Sequence, residues 1–381
     1  MATYAAALAA ALPRVIERDV SFDVFVGAPT ATALSAGDDA VPGAMRVHPL
    51  GIESGTRRLL WVSVQMGLAA RAAGADILHS TTAYLPVWAP CPMVLTVHDL
   101  AIYHFPEAFR RFNRTAGKWL FERSVARASA LIAVSEATRR DLVELLGVAD
   151  DRIHVVPEAA DARFRQAVPE AEMARVRARY RLDGSYVLAV GTAEPRKNFG
   201  RLVAAFLAAT QGLARPPRLV VVGDAGWLTA PLHARLAELE RAGIVRVTGY
   251  VPRADLPALY AGATAFAYPS LYEGFGLPVL EALACGAPVV TSDGSAMAEV
   301  AGNAALLVAP QSVEAIAAAL RRLLTDPALV RSLRQRAPQR AAAFTWERTA
   351  RATLAVYTAV YEHAVRAERT TYAVATSGRG R

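Results

Sequence analysis

The sequence predicts an α/β chain of two doubly wound parallel sheets, each covered by helices on both faces. Three observations carry this expectation. The strand-like runs are almost continuously apolar, helical stretches separate them, and 381 residues exceed what one ordinary core serves.

In the first half, β-branched and aromatic runs mark strands at 22–26, 45–49, 76–79, 93–97, 131–134 and 153–156. Apolar residues at helical spacing fill the gaps at 57–73, 106–127 and 136–146. The second half repeats the scheme, with strands at 186–190, 218–222, 245–247, 264–268, 288–291 and 305–308. A stretch rich in Pro, Ala and Asp between Pro157 and Pro169 marks the boundary, so domains are expected at 1–165 and 166–345. From Ser312 the chain reads as helical to Glu368, broken at Pro327 and at Phe344–Thr345, with 346–368 as the last helix. The tail 369–381 lacks apolar periodicity and is expected to be disordered. Ligand sites in such folds lie beyond the carboxyl ends of the strands, and a crevice is expected between the two sheets.

Composition excludes several classes. With 54% hydrophobic and 20% charged residues the chain buries large cores and is not disordered. Cys91 and Cys285 cannot build a disulfide framework, which fits a reducing compartment. The longest stretch without Asp, Glu, Lys or Arg, 77–98, is broken by Pro86, Pro90 and Pro92 and makes no spanning helix. The apolar opening 5–12 is too short to span and has no positive leader, so a cytoplasmic location is expected. A net charge of +8 and a pI near 9.8 suit phosphorylated small molecules or an anionic membrane surface. Zinc-finger spacing, RNP-like aromatics and long basic runs are missing, so no nucleic-acid partner is expected. Only two of the 42 Lys plus Arg are lysine, Lys118 and Lys197. A chain so biased to arginine keeps lysine by chance or where a compact ammonium is wanted.

Chemistry concentrates in three places. Val190-Gly191-Thr192-Ala193-Glu194-Pro195-Arg196-Lys197-Asn198 reads as strand, tight loop and helix start, with Asn198 as N-cap. The loop sets a guanidinium and an ammonium beside helix amides, a phosphate-site pattern; the plainer reading is a solvated turn. Tyr268-Pro269-Ser270-Leu271-Tyr272-Glu273-Gly274-Phe275-Gly276-Leu277-Pro278 repeats the layout, and Pro278 suits a first helical turn. Gly274 and Gly276 let backbone amides approach an anion. Glu273 in the loop and Glu281 in the first turn of the helix can take hydrogen bonds from sugar and ribose hydroxyls. Singly, each has a plainer reading as a loop carboxylate or a dipole-complementing acid. The third place is Thr96-Val97-His98-Asp99-Leu100, a histidine just past a buried strand. His79 ends another strand and has no further support.

These clusters, in this order, resemble the family-four glycosyltransferases, retaining nucleotide-sugar enzymes of GT-B architecture. Gly-Thr-x-Glu-Pro-Arg-Lys-Asn at 191–198 is similar to the diphosphate loop of that family, and Glu273 to Glu281 to its Glu-x7-Glu signature. Residues 131–138, Val155-Val156-Pro157, and Val222-Gly223 through Gly226-Trp227 also fit, and the resemblance runs from Tyr4 to Tyr361. It implies that Arg196 and Lys197 hold the donor diphosphate and that Glu281 binds the ribose. Glu273, with the amides of Phe275, Gly276 and Leu277, would hold the donor sugar and its phosphate. Gly249, Tyr250 and Val251 would lie along the base, and His98 would reach the transferred sugar from the other domain. The resemblance implies no cofactor beyond the nucleotide-sugar donor and no divalent metal. It also implies a terminal helix around 346–361 that crosses back to the first domain.

One departure stands out. The family opens with a strand, a glycine-rich loop and a helix with an early tyrosine, whereas Met1-Ala2-Thr3-Tyr4 resembles that helix directly. The expectation is a start inside the true reading frame, or an impaired product.

On the 106–127 helix, Arg110, Arg111, Arg114 and Lys118 fall within roughly a 100° arc, with Phe109, Phe112, Trp119 and Leu120 opposite. The plainer reading is a solvated face backed by a core-facing aromatic stripe. The functional one is a docking face for anionic lipid or a lipid-linked acceptor at the inner membrane face. The expected activity is transfer of a sugar, with mannose from GDP-mannose as the donor, to a glycan or glycolipid. A sugar-nucleotide-binding protein without turnover and a GT-B epimerase stand as alternatives.

Overall fold

The computed structural model describes residues 2–16, 20–35, 45–51, 60–109, 111–192, 194–223 and 230–377. Two compact units emerge. Unit 1 comprises Met1–Ile102, Phe109–Glu158 and Trp346–Arg381, and unit 2 comprises Tyr103–Ala108 and Ala159–Thr345. Both are layered α/β structures with parallel strands, as the sequence predicts.

Unit 1 holds β1 (Phe22–Gly27), β2 (Met45–Leu50), β3 (Leu78–Ser80), β4 (Met93–Val97), β5 (Ala130–Ala133) and β6 (Ile153–Val155). They form two parallel sheets where the sequence reading had one: β1-β2, and β3-β4-β5-β6. β4 and β5 are buried at every position, which is why they read as unbroken apolar runs. The helix Glu136–Leu146 is capped by Ser135, whose hydroxyl accepts from the Thr138 amide, and stops at Gly147 in the left-handed region. The 106–127 stretch is not one helix. Pro106–Ala108 is a separate 3₁₀ turn, Asn113–Gly117 is wound as π-helix, and Lys118–Arg127 is α-helical. Likewise the helix expected at 57–73 is π-wound at Trp61–Gln65 and α-helical at Met66–Ala72, with 57–59 outside the described residues.

The terminal helix Trp346–Ser377 belongs to unit 1. Thr349 donates to the Pro157 carbonyl at 2.7 Å, Tyr357 meets His79 Nδ1 at 2.6 Å, and Trp346 packs on Tyr4. The helix runs past Glu368, through part of the stretch expected to be disordered; 378–381 lie outside the described residues.

Unit 2 is one six-stranded parallel sheet: β7 (Tyr186–Val190), β8 (Arg218–Val222), β9 (Val245–Gly249), β10 (Ala265–Tyr268), β11 (Val289–Ser292) and β12 (Ala305–Val308). Their spatial order is β12-β11-β10-β7-β8-β9. Alternate residues face opposite layers. Val187, Ala189, Leu219, Val221, Ala265 and Ala267 share a core with Phe199, Phe206, Ile316 and Leu320 from the helices Phe199–Thr210 and Val313–Thr325. Phe266, between two of those strand residues, turns the other way and meets Tyr260 edge-on. The order reverses between β7 and β10. The chain leaves β7 toward one face and β10 toward the other, so their loops diverge and open a crevice within this sheet.

Candidate active site

The predicted residues of unit 2 gather at that reversal. Backbone geometry there depends on glycine. The Gly191 amide donates to the Val222 carbonyl at 2.8 Å, and the Gly223 amide to the Gly249 carbonyl at 3.0 Å, which stitches the ends of β7, β8 and β9. Gly191, Gly223 and Gly249 all have positive φ, at 149°, 135° and 68°. A Cβ on Gly223 would stand 2.2 Å from the Gly191 carbonyl oxygen, so no other residue fits. At Gly191 the space is ample, a Cβ meeting the Lys197 stem only at an ordinary 3.7 Å, and it is the positive φ that favours glycine there.

After β7, Pro195–Lys197 form a 3₁₀ turn and Asn198 precedes the helix Phe199–Thr210. Asn198 occupies the N-cap position but does not cap with its side chain. It adopts the left-handed conformation at φ 61°, and its Nδ2 donates to the carbonyls of Pro269 and Pro310 at 2.9 and 2.6 Å. The buried amide therefore bolts the first loop to the second.

Glu273 is the hub, and its residue is only 7% exposed. Arg196 Nη1 lies 2.7 Å from Oε2, and Lys197 Nζ lies 2.7 Å from Oε1. Ser270 and Tyr268 donate to Oε1 at 2.7 and 2.9 Å. Arg196 also pairs with Glu194 at 2.8 Å, and Lys197 donates to the Tyr268 hydroxyl. Burial alone would raise the Glu273 carboxyl, but the Lys197 and Arg196 charges outweigh it and hold it at about 2. The plainer readings of a solvated turn and an ordinary loop carboxylate do not describe these residues. Two cations and two carboxylates form one nearly enclosed cluster.

Glu281 sits in the helix Leu277–Ala284, entered through Gly276 at φ 96° with Pro278 next to its first residue. It is the fifth helical residue, so it falls beyond the first turn, and at 6% exposure it does not act as a surface dipole acid. Arg253 Nη2 approaches at 3.1 Å and the Tyr260 hydroxyl donates at 3.2 Å. Burial raises its carboxyl to about 7, against the pull of Arg253 and the Tyr260 hydrogen bond. The amides of Phe275, Gly276 and Leu277 precede the first intrahelical bond of this helix, which Val279 donates to Gly276. Gly274 and Phe275 are buried, and Phe275 packs edge-on against Phe344. Val251 is buried, whereas Tyr250 is 74% exposed.

His98 lies in unit 1, one residue beyond β4, with Nδ1 2.7 Å from Glu158. His79 is enclosed between Tyr357 and Thr96, and burial holds it neutral, with its ionisation pushed down to about 3. Several partners escaped the sequence reading. Arg253 lies only four residues past Gly249, yet nothing in that interval marks it. Ser295, whose hydroxyl exchanges hydrogen bonds with the backbone of Glu273, is 22 positions away in the chain. Glu158 lies 60 positions from its histidine.

The comparisons with known proteins agree on a family. The "Glycosyltransferase Family 4" profile matches residues 1–164, and "Glycosyl transferases group 1" matches residues 173–340. O-antigen chain mannosyltransferase B of Escherichia coli is 36% identical over 320 residues, covering 82% of this chain and 81% of that protein. The chain belongs to glycosyltransferase family 4. The serotype-specific mannosyltransferase WbdA of Escherichia coli is 32% identical over 228 residues, 59% of this glycosyltransferase but only 28% of WbdA. Among solved structures, Anabaena HepE in complex with UDP and glucose aligns with a TM-score of 0.70 at 21% identity, covering 93% and 95% of the two chains. That likeness establishes the GT-B fold of this glycosyltransferase. Among its described residues, no group of His, Cys, Asp and Glu is arranged to hold a metal ion, and no helix is long and apolar enough to cross a membrane.

Proposed function

We propose that this glycosyltransferase moves mannose from GDP-mannose, with retention of configuration, to a growing glycan or glycolipid. The observation that carries the donor site is the Arg196–Lys197–Glu273 cluster at the sheet's reversal point. Among the described residues, two of the three N–H groups of Lys197 go to Glu273 and Tyr268, leaving one for a phosphate oxygen. Arg196 and Lys197 would face the donor diphosphate and stabilise its charge as it departs. Glu273, ionised, would accept from the sugar hydroxyls, and Glu281 would accept from the ribose. His98 is proposed to donate to the transferred sugar. With two cations at the leaving group, turnover is proposed to need no divalent metal, so EDTA should leave it unchanged.

Mannose as the transferred sugar is supported by the similarity to O-antigen chain mannosyltransferase B over 82% of the chain. A panel of nucleotide sugars tests the reading. GDP-mannose should raise the melting temperature most and release GDP with an added mannan acceptor. Preference for a UDP-sugar would overturn the donor assignment, and binding without release would favour the non-catalytic alternative.

Peripheral contact with an anionic membrane is proposed for unit 1. Phe112 and Trp119 are 54% and 55% exposed, so they do not form the core-facing stripe expected from the sequence; Phe121 is the buried aromatic of this helix. Arg111, Arg114 and Lys118 flank them, while Arg110 lies outside the described residues. Cations with exposed aromatic rings suit an anionic bilayer surface. Charge reversal at Arg111 and Arg114 should abolish sedimentation with phosphatidylglycerol vesicles; unchanged binding would refute this contact.

A further inference from the structure

Glu158 and His98 come from strand ends that are not neighbours. His98 follows β4, Glu158 follows β6, and β5 runs between them. Strands two places apart are separated by roughly 10 Å. The two side chains nevertheless meet at 2.7 Å over the end of β5. Glu158 is 5% exposed, and His98 is the one hydrogen-bond partner of its carboxylate among the described residues.

The proton positions follow from the partners. His98 Nε2 lies 3.2 Å from the backbone carbonyl of Thr81, which can only accept, so Nε2 carries hydrogen. One further proton lies between Nδ1 and the Glu158 carboxylate, on whichever side. Neither ring nitrogen then has a lone pair open to another group, and a sugar oxygen receives the Nε2 hydrogen only by displacing or sharing the long Thr81 contact. The ring of Tyr4 packs edge-on against the imidazole at 4.8 Å and fixes its plane.

We infer that Glu158 is a positioning residue that locks His98 as an Nε2–H donor and prevents it from acting as a base. Its kinetic consequence rests on the role of His98 at the donor sugar proposed above; the tautomer does not. A glutamine at 158 can still donate its amide to Nδ1 and keep hydrogen on Nε2, whereas leucine supplies no partner.

The test is ¹⁵N-histidine NMR and steady-state kinetics on the full chain, with melting curves to confirm folding. At pH 7.5, wild type and Glu158→Gln should show one fixed, protonated Nε2 for His98, and Glu158→Leu, left with only the long 3.2 Å contact to Thr81, a mixture of tautomers. Glu158→Leu should lower kcat about tenfold or more with donor KM within twofold, and Glu158→Gln should recover most of that loss. In a His98→Ala background, Glu158→Leu should cost nothing further. A fixed Nε2 proton in Glu158→Leu, or a full additional loss in the His98→Ala background, overturns the inference. If His98→Ala itself retains turnover while the tautomer responds to Glu158, the sugar-binding role of His98 fails and the lock stands.

Discussion

Replacing Glu273 by glutamine removes the shared partner of Arg196 and Lys197 while keeping the side-chain shape. Its carboxyl is held at about 2 against an ordinary 4.5. At about 1.4 kcal/mol per pH unit, that difference corresponds to roughly 3 kcal/mol of folding stability at neutral pH. The figure agrees with the typical cost of about 3–5 kcal/mol for stripping one partner from a buried ion pair. Because the folded carboxyl is depressed, the contribution is complete above pH 4.5, falls to about half near pH 3 and vanishes as pH drops through 2. For a unit of this size, roughly 3 kcal/mol corresponds to a melting shift of about 6–12 °C. Calorimetry of wild type and Glu273→Gln at pH 7, 5 and 3 measures it. The gap should hold from pH 7 to 5 and narrow at pH 3. A variant as stable as wild type at pH 7, or a gap that persists unchanged to pH 3, would refute the hub assignment.

The other predictions probe neighbouring groups. Lys197→Ala should lower kcat about 100-fold or more if this cation stands at the departing diphosphate as proposed; Lys197→Arg should recover little, since a guanidinium fork does not reproduce the single Nζ that bridges Glu273 and the Tyr268 hydroxyl. Single-turnover assays decide this. For Glu281 the sign is opposite: its carboxyl is raised to about 7, so folding favours the protonated form and stability declines as pH rises from 4.5 through 7. Glu281→Gln should therefore gain on wild type by up to roughly 3 kcal/mol between pH 5 and 8, read by urea melts. Gly223→Ala should cost about 3 kcal/mol or more, because its Cβ would collide with the Gly191 carbonyl; a soluble variant with an unchanged melting point would contradict the close approach.

The strands were legible because buried parallel strands need apolar residues on both faces, so Met93–Val97 and Arg218–Val222 stand out in one dimension. Glycine loops were legible for a related reason: a positive φ or a close backbone approach leaves few alternatives. Side-chain direction was less so. The arc drawn for the 106–127 helix assumed one continuous helix at 3.6 residues per turn, whereas a separate 3₁₀ turn at Pro106–Ala108 and the π-wound stretch Asn113–Gly117 break that phase, and Phe112 and Trp119 are both exposed. Asn198 has the composition of a cap, but the left-handed backbone turns its amide to two distant carbonyls instead. Arg253, Ser295 and Glu158 reach their partners through tertiary structure alone, and no local pattern encodes that.

The two carboxylates of the proposed donor site stand in opposite electrostatic surroundings, and this restricts their chemistry. Glu273, at about 2, remains an acceptor throughout the physiological range and has no proton to offer a departing phosphate. In the proposed reaction, stabilisation of that leaving group therefore falls to Arg196 and Lys197. In the absence of donor those cations are neutralised by Glu194 and Glu273, which allows two positive charges to sit at 16% and 11% side-chain exposure without unfolding the loops. A diphosphate brings its own negative charge and can share the cations, leaving Glu273 ionised for the sugar. Glu281, at about 7, is a different instrument: it can accept from a ribose hydroxyl when ionised or donate to one when protonated. Donor KM, more than kcat, should therefore carry the pH dependence near neutrality. A kcat profile that bends near pH 7 with flat KM would place a titrating group in the chemical step and contradict this division of labour.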